Sequence, residues 1–406
     1  MSPANRWFPV IGGVLMNLSL GALYGWSLYV PALQEELNIT RTQASDIFSL
    51  TIVFFAVFFL IGGRLQDKKG PYAVSLIGSI LFGAGFVLSS RATTLWELYF
   101  AFGLIVGAGA GFGYVTPIGV VAKWFPDRRG LVVGISVGAF GAGSAILGPI
   151  VPGLISPFGW QTVMFWQGLL YFVATMAGAQ LLKNPPSGYT PAGWKPSGIS
   201  PGRATGVEYS PAGMLGTIHF YRLLVAYALG ISAGLMVISQ LLPYAQQAIP
   251  GMGAALAGTA VTIGAIGNAS GRILSGWLSD SIGRIKTISV MVLLSALALP
   301  LLGRIHSLWL LWPLLFIVYY CYGTQLSLYA TTSADFFGAK NVGANYGFVF
   351  LAFGVAGIVG PKLGGRVYDQ FHSYTWAFDI AAVLLLAAFA VIVTLRPPAP
   401  KAQTRP

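Results

Sequence analysis

Residues 264–284 read GAIGNASGRILSGWLSDSIGR, an apolar, glycine-rich run with an arginine in its middle. Beyond Arg272 it continues through Ile273, Leu274, Ser275, Gly276, Trp277 and Leu278 before meeting Asp280. At a helical rise of about 1.5 Å per residue, the guanidinium base sits roughly 12 Å inside the edge of an apolar layer. No other basic residue of the chain lies so far from the end of an apolar run. A cation at that depth costs at least about 2.5 to 3.5 kcal/mol on insertion scales, so it faces a partner or a water-filled cavity. Arg272 therefore reads as an anchor for a ligand of opposite charge.

The 406 residues are 55% hydrophobic and 8% charged, with a mean hydropathy of +0.73. That balance excludes a soluble globular protein of this length and predicts an all-α, polytopic membrane protein. Apolar windows of about 20 residues recur along the chain and predict twelve spans. They fall near 7–33, 44–64, 72–90, 96–122, 130–154, 160–182, 219–247, 253–279, 286–303, 307–333, 343–368 and 375–395. The first apolar stretch outruns a signal-peptide core and lacks a small-x-small cleavage site, so it is expected to stay as a helix.

The net charge of +12 reports topology, and no nucleic-acid partner is expected. Drawn on the spans, Arg6, Arg64, Lys68, Lys69, Lys123, Arg128, Arg129, Lys183, Arg284, Lys286, Lys340 and Arg396 fall on one side, whereas Arg41, Arg91, Arg304 and Arg366 mark the other. The positive-inside rule makes the first side cytoplasmic, with both termini there and the chain in the cell's inner (plasma) membrane. The single cysteine, Cys321, rules out an internal disulfide and a cysteine-based metal cluster, and its place in the tenth span suits a small core residue.

A Pro-, Gly- and Ser-rich stretch at 183–217 reads as a cytoplasmic linker. It separates an N-terminal six-helix bundle (1–182) from a C-terminal one (218–396), with a tail at 397–406. The bundles repeat with a shift of 213 residues. GRLQDKKGP at 63–71 returns as GWLSDSIGR at 276–284, AFGAGSAILGP at 139–149 answers AFGVAGIVGP at 352–361, and WFPDRRG at 124–130 falls on FGAKNVG at 337–343. Two six-helix repeats with both termini on one side are parallel repeats, which place a substrate site at their interface near mid-membrane.

The pattern G-x-L-x-D-x-x-G at 63–70, with its second copy, resembles the cytoplasmic loop motif of the major facilitator superfamily of transporters. In that light Asp67 and Asp280, with Arg129, read as a gate latch in which carboxylates pair with arginine or a helix end in one state and release in the other. Helix capping and loop solubility are the simpler reading. Gly107, Gly109, Gly111 and Gly113 lie inside a span with no strand before them and no Lys-Ser/Thr after, so they serve helix packing rather than phosphate binding.

The repeat sets Phe59 against Arg272 and Phe55 against Asn268, so one bundle alone carries the charge. Almost all of the 11 acidic residues lie at span ends or in loops, which leaves the counter-charge to the ligand. A planar guanidinium matches a carboxylate bidentately, and one fixed cation suits one carboxylate. Asn268, four residues earlier on the same helix face, either orients Arg272, donates to the substrate or packs. Other candidates for the cavity wall are Tyr24, Leu28, Tyr114, Tyr322 and Gln325, with Phe140 and Phe353 as an apolar, repeat-related pair.

YGWSLY at 24–29, WFPDRRG, RILSGWLSDSIGR followed by KTISV, and NYGF at 345–348 resemble the oxalate:formate antiporter family. Its span-eight arginine falls on Arg272, and its second substrate-binding cation, a lysine in span eleven, falls on Phe353, which shifts the expectation to monocarboxylates. The chain is also similar to the animal monocarboxylate transporters. They place an aspartate four residues before the span-eight arginine, where this chain has Asn268, and a lysine in span one, where it has Ser27-Leu28. These resemblances imply lactate- or pyruvate-like anions carried with a proton by alternating access, or, alternatively, carboxylate exchange of the oxalate:formate type. No cofactor or metal, no enzymatic activity and a monomer in the bilayer are expected. Asp46 and Asp379 stand as candidate proton carriers.

Overall fold

The computed structural model describes residues 6–186, 189–191, 208–338 and 340–398, with the side chain of Arg129 also outside the description. These residues are helical almost throughout and contain no strand. The chain starts with α1 (Phe8–Leu20), a 3₁₀ stretch at Gly21–Leu28 and α2 (Val30–Leu37). Next come α3 (Arg41–Lys69), α4 (Pro71–Ser89), the short α5 (Leu95–Leu98), a π-helical stretch at Tyr99–Val106 and α6 (Gly107–Trp124). α7 (Arg129–Ala142) and α8 (Leu147–Leu181) complete the part before the linker; α8 turns at Gly159, where φ is +75°. After the linker come α9 (Pro211–Leu215), α10 (Ile218–Ala248), α11 (Ala254–Ile282), α12 (Arg284–Leu302) and α13 (Leu308–Phe337). α14 (Val342–Val349), α15 (Leu351–Phe371) and α16 (Thr375–Ile392) close the chain.

The 213-residue repeat is written into these boundaries. It carries α3 onto α11, both 29 residues long, and α4 onto α12, both 19 residues long. The turns between them are Gly70 at φ +82° and Gly283 at φ +93°, a left-handed conformation in which a Cβ is strained. Each helix therefore ends on the residue the turn demands, and the next begins at once.

Among the described residues nine helical segments are long and apolar enough to cross a membrane, against the twelve expected. Part of the difference is continuity: Gly130–Leu181 runs as one 52-residue segment through the turn at Gly159. The rest is chemical. α11 and α13 are long enough, at 29 and 30 residues, and fall short in hydropathy because they carry Asn268, Arg272, Gln325 and several tyrosines.

The span expected at 7–33 is not one α-helix. It tightens to 3₁₀ winding from Gly21 to Leu28, which changes the residues per turn and re-aims every side chain beyond it. Gly21 lies flush against the backbone of Phe140, with no room for a Cβ. Close approach of this kind is the usual means of helix association in lipid, where no hydrophobic drive separates helix from tail. Gly111 presses on α3 in the same way, a Cβ there falling 2.7 Å from both the Phe55 carbonyl oxygen and the Phe59 nitrogen. Gly111→Val is expected to cost about 1–3 kcal/mol through overpacking, read as a lowered midpoint of thermal unfolding in detergent.

Contacts define two ends of the molecule. At one end Trp124 Nε1 donates to the Lys183 carbonyl (2.6 Å) and Arg6 pairs with Asp127 (3.2 Å). There too the Tyr209 N–H donates to the Phe337 carbonyl (2.9 Å). This end gathers both edges of the linker and is called the linker side. At the far side, Asp369 meets the start of α3 and the Gln247 amide donates to the His372 carbonyl. The helices before and after the linker meet along two seams, α3 against α15 and α7–α8 against α11, with the 3₁₀ stretch against α10 between them.

Candidate functional site

Arg272 projects from α11 into the meeting place of the two sets of helices and is 2% exposed. Its Nε donates to Asn268 Oδ1 one turn earlier (2.9 Å), which fixes the plane of the guanidinium. The remaining acceptors come from the other side of the interface. Nη1 donates to the Tyr114 hydroxyl on α6 and to the Val137 carbonyl on α7, both at 3.2 Å, and Nη2 to the Tyr24 hydroxyl on the 3₁₀ stretch at 3.4 Å. The Phe140 ring lies beneath the guanidinium, 5.4 Å from Cζ to the ring centre, a cation–π contact that strengthens when desolvated. Among the described residues no carboxylate pairs with Arg272. Their ion pairs are Arg6 and Arg128 with Asp127, Arg284 with Asp280 and Asp335, Arg304 with Asp379, and Lys362 with Asp46.

The donor count exceeds the acceptor count. A guanidinium offers five N–H groups, and four acceptors meet them. Asn268 Nδ2 is buried with no partner. The Tyr24 and Tyr322 hydroxyls bond to each other at 2.8 Å, which uses one of their two protons. The Tyr114 hydroxyl accepts from Arg272 and keeps its own proton to give. Such a surplus of buried donors around a fixed cation suits an anion rich in acceptor oxygens.

Around this cluster stands an aromatic wall. Phe140 meets Tyr24 at 5.2 Å and Tyr114 at 4.7 Å between ring centres. Phe55 joins Phe140 (5.7 Å) to Phe353 (5.4 Å), and Phe353 stacks on Phe350 at 4.9 Å with 11° between planes. Phe353 thus reaches the cluster through Phe55 and is 1% exposed.

Of the residues singled out from sequence, Arg272, Asn268, Tyr24, Tyr114, Tyr322 and Phe140 come together, and Phe353 lies in the adjoining wall. Leu28 and Gln325 are not brought to the guanidinium. Leu28 is buried near the end of the 3₁₀ stretch, beside Gly25. Gln325 turns to α10, donating to the Gly230 carbonyl at 3.0 Å. Phe55 and Phe350 were not put forward as wall residues; the repeat pointed to Phe55 as the counterpart of Asn268. The Val137 carbonyl is a main-chain group with no side-chain signature.

At the linker side, Asp280 pairs with Arg284 at 2.6 Å, and Arg284 also approaches Asp335 at 3.7 Å. These contacts tie α11 to α12 and α13 within one set of helices. Asp67 is exposed and has no ion pair among the described residues, and the side chain of Arg129 lies outside them. Among the described residues no group of three or more His, Cys, Asp or Glu side chains stands close enough to hold a metal ion.

The sequence matches the family model described as Major Facilitator Superfamily over residues 13–278 and 223–406. It is 28% identical over 396 residues to the oxalate:formate antiporter of Oxalobacter formigenes, covering 97% of this chain and 92% of that protein. Identity to the MFS-type transporter YhjX of Escherichia coli is 28% over 364 residues, 88% of each chain. Human monocarboxylate transporter 11 is 28% identical over 416 residues, covering 97% of this chain and 84% of that one.

Proposed function

Because the chain belongs to the Major Facilitator Superfamily and is thus a multi-pass membrane transporter, we propose that it carries short monocarboxylates, of the L-lactate or pyruvate kind, together with a proton. The observation that carries this reading is the buried Arg272, which has only neutral acceptors and is ringed by unused N–H and O–H donors. A bound carboxylate accepts two parallel bonds from the guanidinium, and the tyrosine hydroxyls, which accept from Arg272 in this state, turn to donate to it. The aromatic wall takes a short alkyl chain. One cation, with Phe353 where a second would stand, fits a single carboxylate.

In this reading twelve spans form two six-helix bundles, 1–182 and 218–396, that rock about the site to give alternating access. The linker side faces the cytoplasm of a cell whose inner membrane holds the protein as a monomer, Asp67, Asp280 and Arg129 serve the gate on that side, and no catalytic chemistry is involved. The glycine contacts between helices let them slide during the motion. Symport with one proton per monovalent anion moves no net charge.

The likeness to the oxalate:formate antiporter, over 97% of the chain, favours carboxylate exchange as the second reading. Proteoliposomes separate the two. Symport gives acid-driven accumulation of labelled lactate with no internal counter-substrate, whereas exchange needs a loaded lumen; failure of both with all short monocarboxylates overturns the proposal.

Tyr114→Phe provides a finer test. It removes a hydroxyl that bonds a charged group, worth about 1.5–3 kcal/mol, so lactate affinity is expected to fall roughly ten- to a hundredfold at unchanged expression. Unaltered affinity would exclude Tyr114 from the site.

A further inference from the structure

The ion pairs among the described residues divide by where they lie. Arg6 and Arg128 with Asp127 stay within the helices before the linker, and Arg284 with Asp280 and Asp335, and Arg304 with Asp379, within those after it. Asp46–Lys362 alone crosses. Asp46 on α3 lies 3.2 Å from Lys362 on α15, with the side chains 25% and 36% exposed. The pair is therefore partly shielded and still open to protons from solvent.

It sits in the far-side half of the α3–α15 seam, where the two helices are bound most tightly. Asp369 of α15 accepts from the Arg41 N–H (3.0 Å), the Thr42 N–H (2.8 Å) and the Thr42 hydroxyl (2.6 Å) at the first turn of α3. Gln240 of α10 donates to Ser45 Oγ and accepts from Tyr374 (2.9 Å). Toward the linker side the same seam holds Gly347 against Leu60 and Arg64 over the ring of Phe348, with no ion pair across it among the described residues. The repeat-related seam between α8 and α11 is uncharged at the matching positions, Thr259 and Ile150, and closes on Gly148 against Gly258. Both seams pack on glycine, Gly357 and Gly365 against α3 in the one and Gly148 against Gly258 in the other, and only the α3–α15 seam adds a charge pair among the described residues.

We propose that Asp46 is the proton-responsive clasp of the far-side gate: a proton on its carboxylate cancels the attraction for Lys362 and favours opening to that side. This deepens the transporter reading and rests on it, since the gate must open. Asp379, the other candidate from sequence, is paired with Arg304 inside one set of helices and does not span the moving interface. The titratable groups that face Asp46 are Lys362 from α15 and Tyr99 from the π-helical stretch; in the turn of α3 before it Asp369 of α15 holds the Arg41 and Thr42 N–H groups and the neutral Gln240 of α10 bonds Ser45. Lys362 makes the direct contact, so the state of Asp46 decides whether the clasp holds.

The test places spin labels on Glu35→Cys and Ala255→Cys, exposed positions at the far-side ends of α2 and α11, in a Cys321→Ala background in nanodiscs without substrate. Acidification from about pH 8 to about pH 3, past the reference range of carboxylic acids, is expected to raise the long-distance population several-fold. Asp46→Asn is expected to hold that population at its acid level at every pH. Lys362→Gln, which leaves Asp46 intact, gives the same result if Asp46→Asn fails to fold, and the exchange Asp46→Lys with Lys362→Asp restores closure at neutral pH. A wild-type distribution indifferent to pH, or an Asp46→Asn variant that still follows pH, overturns the proposal. Because no substrate is present, an error in the carboxylate assignment leaves this measurement unaffected.

Discussion

Arg272→Gln is expected to lose carboxylate binding altogether in a protein that still inserts and folds. The guanidinium is the one charge at the interface core among the described residues, and its bonds to an anion are charge-assisted, each worth about 1.5–3 kcal/mol. Two such bonds amount to roughly two to four orders of magnitude in affinity. Glutamine keeps the start of the stem, brings its amide to about where Nε meets Asn268, and no longer requires desolvation of a cation with only neutral acceptors, so thermal stability holds or rises. Arg272→Lys keeps the charge and loses the planar fork, and falls between the two. Isothermal titration or a thermal-shift series with formate, acetate, lactate and pyruvate reads the effect. Wild-type uptake by a well-expressed Arg272→Gln variant would remove the anchor assignment, and with it the substrate class.

Phe353→Lys is expected to redirect selectivity toward dicarboxylates. The native ring is 1% exposed, stacked on Phe350 and linked through Phe55 to Phe140, on which Arg272 rests. A lysine there puts a second cation on the same wall, and a buried, unpaired charge costs several kcal/mol. A dianion that meets both cations recovers that cost, so oxalate is expected to stabilise the variant against heat while lactate does not. In competition assays the preference for oxalate over lactate is expected to rise about a hundredfold, equivalent to about 2.7 kcal/mol. Phe353→Met, similar in volume and uncharged, serves as the control. A folded variant whose competition by oxalate is unchanged would mean that Phe353 does not face the anion.

These expectations draw on different depths of information. The repeat was legible from short motifs, and the helix boundaries follow it closely, because each glycine at φ above +80° is a local requirement visible in the chain. Arg272 was legible for a similar reason: a charge in an apolar run is an energetic anomaly wherever the run packs. Asn268 followed from helical spacing alone, since four residues make one turn.

Leu28 and Gln325 show what such reading leaves open. Tyr24 and Leu28 were both candidates from the first span; the chain there winds as 3₁₀, and of the two it is Tyr24 whose hydroxyl meets the guanidinium. Gln325 is a polar residue in a span, and which neighbour it faces depends on the pairing of α13 with α10 rather than on its own helix.

By itself, then, the sequence determined an all-helical, internally repeated membrane chain with a single deep cation, because hydropathy, turn residues and the cost of a buried charge are properties of short stretches. Only the tertiary structure decided that the cation's partners are hydroxyls and a carbonyl from across the interface, and that Asp46 meets Lys362 across it. Those contacts join residues more than a hundred positions apart, and the distance between them is set by how helices pack, which no local pattern encodes.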